Sequence, residues 1–299
     1  MTTVHKSVLL KETIEGLNLS NASVVIDGTF GGGGHTKEIL TQYPNTKVIA
    51  IDRDIGAFDR AMSKLVGLED RISFHNLNFK DLNYALERED IEQVDAILLD
   101  LGLSSDQLDN SKRGFSFLRD EDLLMTMKES PDGDDVTAKD IVNTWSEESI
   151  ADIIYGYGEE TFARVIARNI VLARKDKEIN TTFDLVKIIE SSVNKSYRNK
   201  KTHCATKTFQ ALRIATNDEL QSIEQALEKS LEALKVGGRL AVISFHSLED
   251  RIVKNFYKTK SQNKEVILIN KKPIIPGEEE LKENKRSRSA KLRILEKIL

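Results

Sequence analysis

Short apolar runs alternate with amphipathic stretches through the first hundred residues. Strands are expected at 23–29, 47–52, 71–75 and 94–100. Between them, 7–17, 36–42, 55–66 and 80–89 place apolar residues at helical spacing. Strands that alternate with helices predict a parallel sheet covered by helices on both faces. Three of these strands close on an acid, Asp27, Asp52 and Asp100. In such a sheet ligands bind outside the carboxyl ends of the strands, so the three acids share the edge where a site is expected.

The pattern changes after Gly102. Residues 104–135 are polar and acidic with no clear period, and a mobile lid is expected there. Helical stripes follow without strands. Ile150, Ile153 and Ile154 share a face behind Ser146, an N-cap with Glu147 and Glu148 in the first turn. Phe162, Val165, Ile166 and Ile170 make a second stripe, and 183–189 a third. Strand signals then return. Leu220, Ile223, Leu227 and Leu231 predict a long helix that stops at Gly237-Gly238. Strands are expected at 240–245, 266–269 and 292–295. The expected fold is α/β: a Rossmann-like sheet with helices on both faces, made of 1–106 and 208–299, interrupted in sequence by a mainly helical domain at 107–207.

Composition narrows the classes. The chain has 299 residues, 39% hydrophobic and 31% charged, which suits a globular protein with a highly charged surface. No apolar run approaches the ~20 residues of a membrane span, and no signal peptide is recognisable at the N-terminus. Cys204 is the single cysteine, so no internal disulfide forms and a reducing cytoplasm is the expected location. The net charge of −4 argues against a uniformly basic nucleic-acid coat but allows local basic surfaces.

The chemistry concentrates at the first strand. It ends at Asp27 and breaks into Gly31 to Gly34, followed by His35 and a helix start. Strand, glycine turn and helix N-terminus together form a nucleotide-binding site. Asp52, about twenty residues on, stands where an acid binds ribose hydroxyls. The bland alternatives are a plain tight turn and, at Asp100, an acid capping the next turn. No Cys/His spacing fits zinc, and no Gly-x-Ser-x-Gly elbow or P-loop lysine is present. Two segments are basic. One holds Lys187, Lys195, Arg198, Lys200, Lys201, Lys207 and Arg213, with Tyr197 and Phe209 interleaved as candidates for base stacking. The other holds Lys282, Lys285, Arg286, Arg288, Lys291 and Arg293. Each alone is a solvated face; two beside a cofactor domain point toward RNA.

Several motifs are family-specific. His5 to Leu10, Asp27-Gly28-Thr29-Phe30 through His35, Asp52-Arg53-Asp54, Leu99 to Ser105 with Gln107-Leu108, and Arg113 to Phe117 form one set. Thr208 to Ile214, Gly237 to Arg251 and Arg288 to Arg293 complete it. Nearly end to end, the chain resembles the ribosomal RNA small subunit methyltransferase H family, also called MraW. The resemblance implies an S-adenosyl-L-methionine-dependent enzyme that methylates N4 of one cytidine in the decoding centre of 16S rRNA, in the 30S subunit or a late precursor. By matching position it implies that Gly33, Gly34 and His35 contact the cofactor, Asp52 holds the ribose, and Phe79 packs near the adenine. Asp100 and Gln107 complete the site, with Asp100 orienting the amine. No metal and no membrane partner are implied, and a homodimer is compatible. Lys201, His203, Lys207, Arg213, His246, Arg288 and Lys291 are the expected RNA contacts.

One stretch departs from the family pattern. Where a Gly-Pro turn is usual the chain has Glu121-Asp122, and Leu124, Thr126 and Lys128 replace an Asp, an Arg and an Asp. Cys204 and Lys207 stand where Pro and Arg are usual. These changes bear on the substrate side and motivate an alternative, a cofactor-binding rRNA assembly factor with weakened catalysis. An NAD-dependent oxidoreductase would also use Asp52. An amine methyltransferase acting on DNA is disfavoured, because Asp100 is followed by Leu-Gly-Leu-Ser rather than Pro-Pro-Tyr.

Overall fold

The computed structural model describes residues 7–20, 23–131, 133 and 135–299. His5 and Lys6 of the first family motif lie outside them. The chain forms two compact units, one of 1–104 with 220–299 and one of 105–219. Each is described separately.

The first unit is built on a seven-stranded sheet. Its strands are β1 (Val24–Asp27), β2 (Lys47–Asp52), β3 (Ile72–Asn76), β4 (Val94–Asp100), β5 (Leu234–Ser244), β6 (Val266–Leu268) and β7 (Lys291–Lys297). They lie in the order β3-β2-β1-β4-β5-β7-β6. The run from β3 to β5 is parallel, and β7 enters antiparallel between β5 and β6. This is the expected Rossmann-like arrangement. The strand order reverses between β1 and β4, which opens the crevice where such sheets bind ligands. Alternating side chains serve two cores. Ile26, Ile49, Ile97 and Val242 pack on one face with Leu82, Leu86 and Leu227. Val25, Val48, Leu98 and Ile243 pack on the other with Ile14, Ile39 and Leu65.

Three expected helices are shorter than their periodicity. That at 7–17 spans Leu10–Leu17, behind Leu9 in the left-handed region. That at 55–66 spans Ala57–Met62, because Lys64 and Leu65 already bond three residues back. That at 80–89 spans Leu82–Glu89 after a tight turn at Phe79–Asp81. The long helix ends at Ala233 rather than at the glycines. Leu234 is fully buried and already pairs with Val94. Gly237, at φ +83°, and Gly238 serve a bulge where the β4–β5 register shifts.

The second unit is mainly helical: Ala138–Thr144, Glu147–Gly156, Ala163–Asp176, Thr182–Ser192 and Thr206–Asn217 are its main helices. Ser146 caps its helix by accepting from the Ser149 N–H, as expected. Thr137 and Asp140 form a reciprocal capping box on Ala138–Thr144, and Thr181 caps Thr182–Ser192. Ile150, Ile154, Ile166, Ile170, Leu185 and Leu212 supply its core. Thr206–Asn217 packs on the helices Ala138–Thr144 and Glu147–Gly156, so this unit runs to 219.

The segment expected as a lid is tied down over much of its length. Leu123 and Met125 are fully buried. The Met125 N–H donates to Arg113 O, Leu123 to Asn180 O, and Thr182 to Glu121 O. Asn217 bonds both Met125 O and the Met127 N–H. The sequence pattern did not show this because the partners, Asn180, Thr182 and Asn217, are remote in sequence.

Candidate functional site

Asp27, Asp52 and Asp100 close β1, β2 and β4 on the same edge of the sheet. The chain after β1 turns through Gly31 (φ +52°) and Gly33 (φ +70°), a region open mainly to glycine, and enters the helix Gly34–Gln42. Two side chains hold this turn. Asp52 accepts from the Gly31 N–H through Oδ2 (2.7 Å) and from the Asp54 N–H through Oδ1 (2.8 Å). Thr36 donates its hydroxyl to Asp27 Oδ2 (2.7 Å), pinning the helix start to β1. A Cβ on Gly34 would meet the Ser7 hydroxyl, which would have to rotate aside, and would stand 3.3 Å from Ser7 Cβ. Phe79 lies beside Gly28, its Cβ 3.4 Å from where a Gly28 Cβ would sit.

Asp100 is anchored by its backbone, whose N–H donates to Thr29 Oγ1 (2.6 Å). Its side chain is 22% exposed. Oδ1 is covered and lacks a hydrogen-bond partner, so the exposure lies with Oδ2 and Cβ. His35, nearly buried, stands with Nδ1 3.7 Å from Asp100 Oδ2, and its Nε2 donates to Val8 O (3.2 Å). Burial, then repulsion from Asp27 and Glu249, holds the Asp100 carboxyl well above the usual carboxylate range. Burial also raises Asp27, to about 6, against hydrogen bonds from Thr36 and Thr29 that oppose the shift. Asp52 is raised by burial too. A carboxylate with raised proton affinity, open at one oxygen at a strand end, is equipped to accept an N–H and then its proton.

Glu249 is the acid that sequence reading missed. It is buried, and Oε2 accepts from the Phe245 N–H (2.7 Å) and the His246 N–H (3.2 Å). His246 Nδ1 accepts from the Glu249 N–H, closing a capping box on the helix Ser247–Gln262. His246 Nε2 is 3.0 Å from Glu249 Oε1, at an angle too poor for a hydrogen bond. The spacing of His246 and Glu249 was a capping signal, and His246 serves the helix end rather than an open surface.

Other expected RNA contacts are also engaged within their own units. Lys291 donates to Asp250 Oδ2 (3.0 Å), while Arg293 bonds Oδ1 (2.7 Å). In the second unit Arg213 grips Glu219 through two bonds of 2.8 Å, and Lys207 donates to Glu159 O (2.6 Å). Phe209 is buried and offers no face to a base. Tyr197 donates its hydroxyl to Glu160, meets Phe162 edge-on and carries Lys200 over its ring at 4.5 Å. Lys195, Arg198, Lys201 and Arg288 are exposed. Gln107 belongs to the second unit and is buried there.

Glu190, His203 and Cys204 bring one donor atom each within 4.8 Å of one another. His203 Nδ1 accepts from the Ala205 N–H, so its ring proton sits on Nε2, 3.6 Å from Glu190. The ring also stacks on Phe117 at 4.8 Å. That is the tautomer for pairing with a carboxylate; a metal on Nε2 would displace the ring proton it carries. Among the described residues no helix is long and apolar enough to cross a membrane.

Comparison with known proteins places these features in a family. The model of the MraW methylase family matches residues 2–298. A ribosomal RNA small subunit methyltransferase H from Finegoldia magna is 43% identical, with 99% of each chain covered. Its counterpart from Acaryochloris marina is 48% identical over 98% of this chain and 94% of its own. That from Desulfotalea psychrophila is 45% identical over 99% and 98%.

Proposed function

The chain belongs to the MraW methylase family and is an S-adenosyl-L-methionine-dependent methyltransferase; from that premise we propose that it methylates the exocyclic N4 of one cytidine in the decoding centre of 16S rRNA. The substrate is 16S rRNA within the 30S subunit or a late precursor. The observation that carries this reading is Asp100, a carboxylate of raised proton affinity at the end of β4, beside the glycine turn. A cytosine amine is a weak nucleophile because its lone pair is delocalised into the ring. It needs to be positioned, and its protons need an acceptor, more than it needs a strong base.

The residues at the turn fit the cofactor. The Asp52 carboxylate, partly exposed, has lone pairs left for ribose hydroxyls after its two backbone bonds. Gly33, Gly34 and His35 present backbone and ring at the helix start, and Phe79 offers an apolar face for the adenine. The bound cofactor supplies a methyl group already activated by its sulfonium. Asp100 accepts an amine N–H and holds the nitrogen lone pair in line. Lys195, Arg198 and Lys201 supply phosphate affinity from the second unit.

Tritiated methyl transfer to 30S subunits lacking the modification, with nucleoside analysis of the product, tests the reading. N4-methylcytidine at a single decoding-centre position is the expected result. Cofactor binding without transfer would favour the assembly-factor alternative suggested by residues 121–128.

A further inference from the structure

β4 lies between β1 and β5, and an acid bears on the Asp100 carboxyl from each side. On one flank Asp27, the last residue of β1, pairs with Leu98, just before Asp100 on β4. On the other flank Asp100 pairs with Ile243, and just past Ile243 the Phe245 N–H donates to Glu249. The donors that settle a buried carboxylate are missing here. Asp100 Oδ1 is covered and has no hydrogen-bond partner, and His35 Nδ1 is 3.7 Å from Oδ2, beyond hydrogen-bond reach. A covered carboxyl without donors, set between two other acids, is favoured as the neutral acid. The titratable groups around it are Asp27 on β1, Glu249 on the helix Ser247–Gln262 and His35 on the helix Gly34–Gln42. Asp52, at the end of β2, adds its charge at Asp27. Acids gathered where the ligand crevice opens make a setting for a positive charge. The two forms of the cofactor differ in that respect: the methyl donor carries a sulfonium, the demethylated product a neutral thioether.

We propose that Asp100 reads the charge of the bound cofactor: it is a neutral acid in the unloaded enzyme, gives its proton to water when the sulfonium form binds, and keeps it when the thioether form binds. Loading the methyl donor thereby creates the anionic acceptor that the cytosine amine needs. The second half of this cycle rests on the amine-methylation reading above. In the transfer, the amine lone pair forms the bond to the methyl carbon, and the carbon–sulfur bond breaks with its electrons going to sulfur. The surplus amine proton passes to Asp100 Oδ2. Asp100 is then a neutral acid again, beside a neutral sulfur, and product release returns the enzyme to its starting protonation state. The proton that the overall reaction sets free leaves at cofactor binding rather than after transfer.

Calorimetric titration of the full-length protein, without RNA, in two buffers of different ionisation enthalpy counts the protons. At about pH 7 the amino group of either ligand is already mostly protonated, so its own contribution is small. S-adenosyl-L-methionine should release about one proton, and S-adenosylhomocysteine close to none. The same linkage sets the pH dependence. While free Asp100 stays protonated, the Kd of S-adenosyl-L-methionine should fall by up to about tenfold per pH unit as pH rises, and that of S-adenosylhomocysteine should stay flat. Asp100→Asn resembles the neutral acid in shape and charge. It should bind S-adenosylhomocysteine within a few-fold of the parent and release close to no proton with either ligand. Equal proton counts for the two ligands in the parent overturn the proposal, and that comparison needs no variant. Release with S-adenosyl-L-methionine that persists in Asp100→Asn overturns it as well. The titrations contain no RNA, so a parent enzyme that releases the proton but does not methylate 16S rRNA would sink the proposed substrate and leave the charge reading intact.

Discussion

Replacing Asn217 by alanine removes one side chain that holds the family-divergent segment in place. Asn217 is 4% exposed and ends the helix Thr206–Asn217. Its Nδ2 donates to Met125 O (2.7 Å) and Arg213 O (2.9 Å), and its Oδ1 accepts from the Met127 N–H (2.7 Å). The alanine variant leaves Met125 O and the Met127 N–H without those partners. A buried backbone group stripped of its partner costs about 1–3 kcal/mol. Met125 is fully buried but Met127 is only partly covered, so water can rescue part of the loss. The combined local cost is then about 2–3 kcal/mol. Hydrogen exchange at the Met127 amide reads it: protection should drop roughly 30- to 100-fold, at tenfold per ~1.4 kcal/mol. Asn217→Asp keeps an acceptor for Met127 while turning an oxygen toward two carbonyls, so Met127 should stay better protected than in the alanine variant although overall stability falls. A change in Met127 protection below about threefold in Asn217→Ala would show that the segment is held by other contacts, and would refute the reasoning.

Asp52→Ala should weaken binding of S-adenosylhomocysteine by roughly 10- to 100-fold, the worth of a charge-assisted hydrogen bond; calorimetric titration with an unchanged Kd would remove Asp52 from the cofactor site. Gly34→Ala should lower the melting temperature only modestly, because its Cβ meets Ser7 Oγ, which can rotate aside, and Ser7 Cβ at 3.3 Å, which must give slightly; Ser7→Gly in the same chain should restore it, and no restoration would place the strain elsewhere. Burial pushes the Asp27 carboxyl in the folded chain up to about 6, above its ordinary value of 3.8. The native state therefore binds more protons between these values, and stability should fall as pH rises from about 4 to 6, by up to ~3 kcal/mol. In Asp27→Asn that part of the slope should vanish in urea titrations across the range, and a slope identical to the parent's would contradict the assignment. Lys291→Ala should lower thermal stability, because it strips one of two cations from the Asp250 carboxylate, with little change in the salt dependence of 30S binding. Lys201→Ala should do the reverse, reducing the salt slope by about one; an equal salt effect from both would return Lys291 to the RNA surface.

The elements that a local period can report were legible in the sequence. β2 and β4 begin and end where their apolar runs do, and Ser146 caps its helix as its position foretold. The glycine turn and the three strand-end acids were legible because strand, turn and helix start are contiguous. Less legible was anything set by a distant partner. The 104–135 segment looked like a lid because the ties of its 113–128 part run to Asn180, Thr182 and Asn217, which no short window of sequence contains. Several basic residues read as RNA contacts because charge alone does not reveal an internal acid; Lys291 meets Asp250 and Arg213 meets Glu219.

The sequence by itself therefore determined the order of strands and helices, the glycine turn at the end of β1 and the membership of the family. Tertiary structure decided which groups carry charge and which are open. Asp27, Asp52 and Asp100 look alike as strand-ending acids, yet Asp100 alone has burial, His35, Asp27 and Glu249 converging on it from three other elements. Proton affinity depends on burial and on charges a few ångströms away, and the folded sheet brings together residues up to two hundred positions apart in the chain.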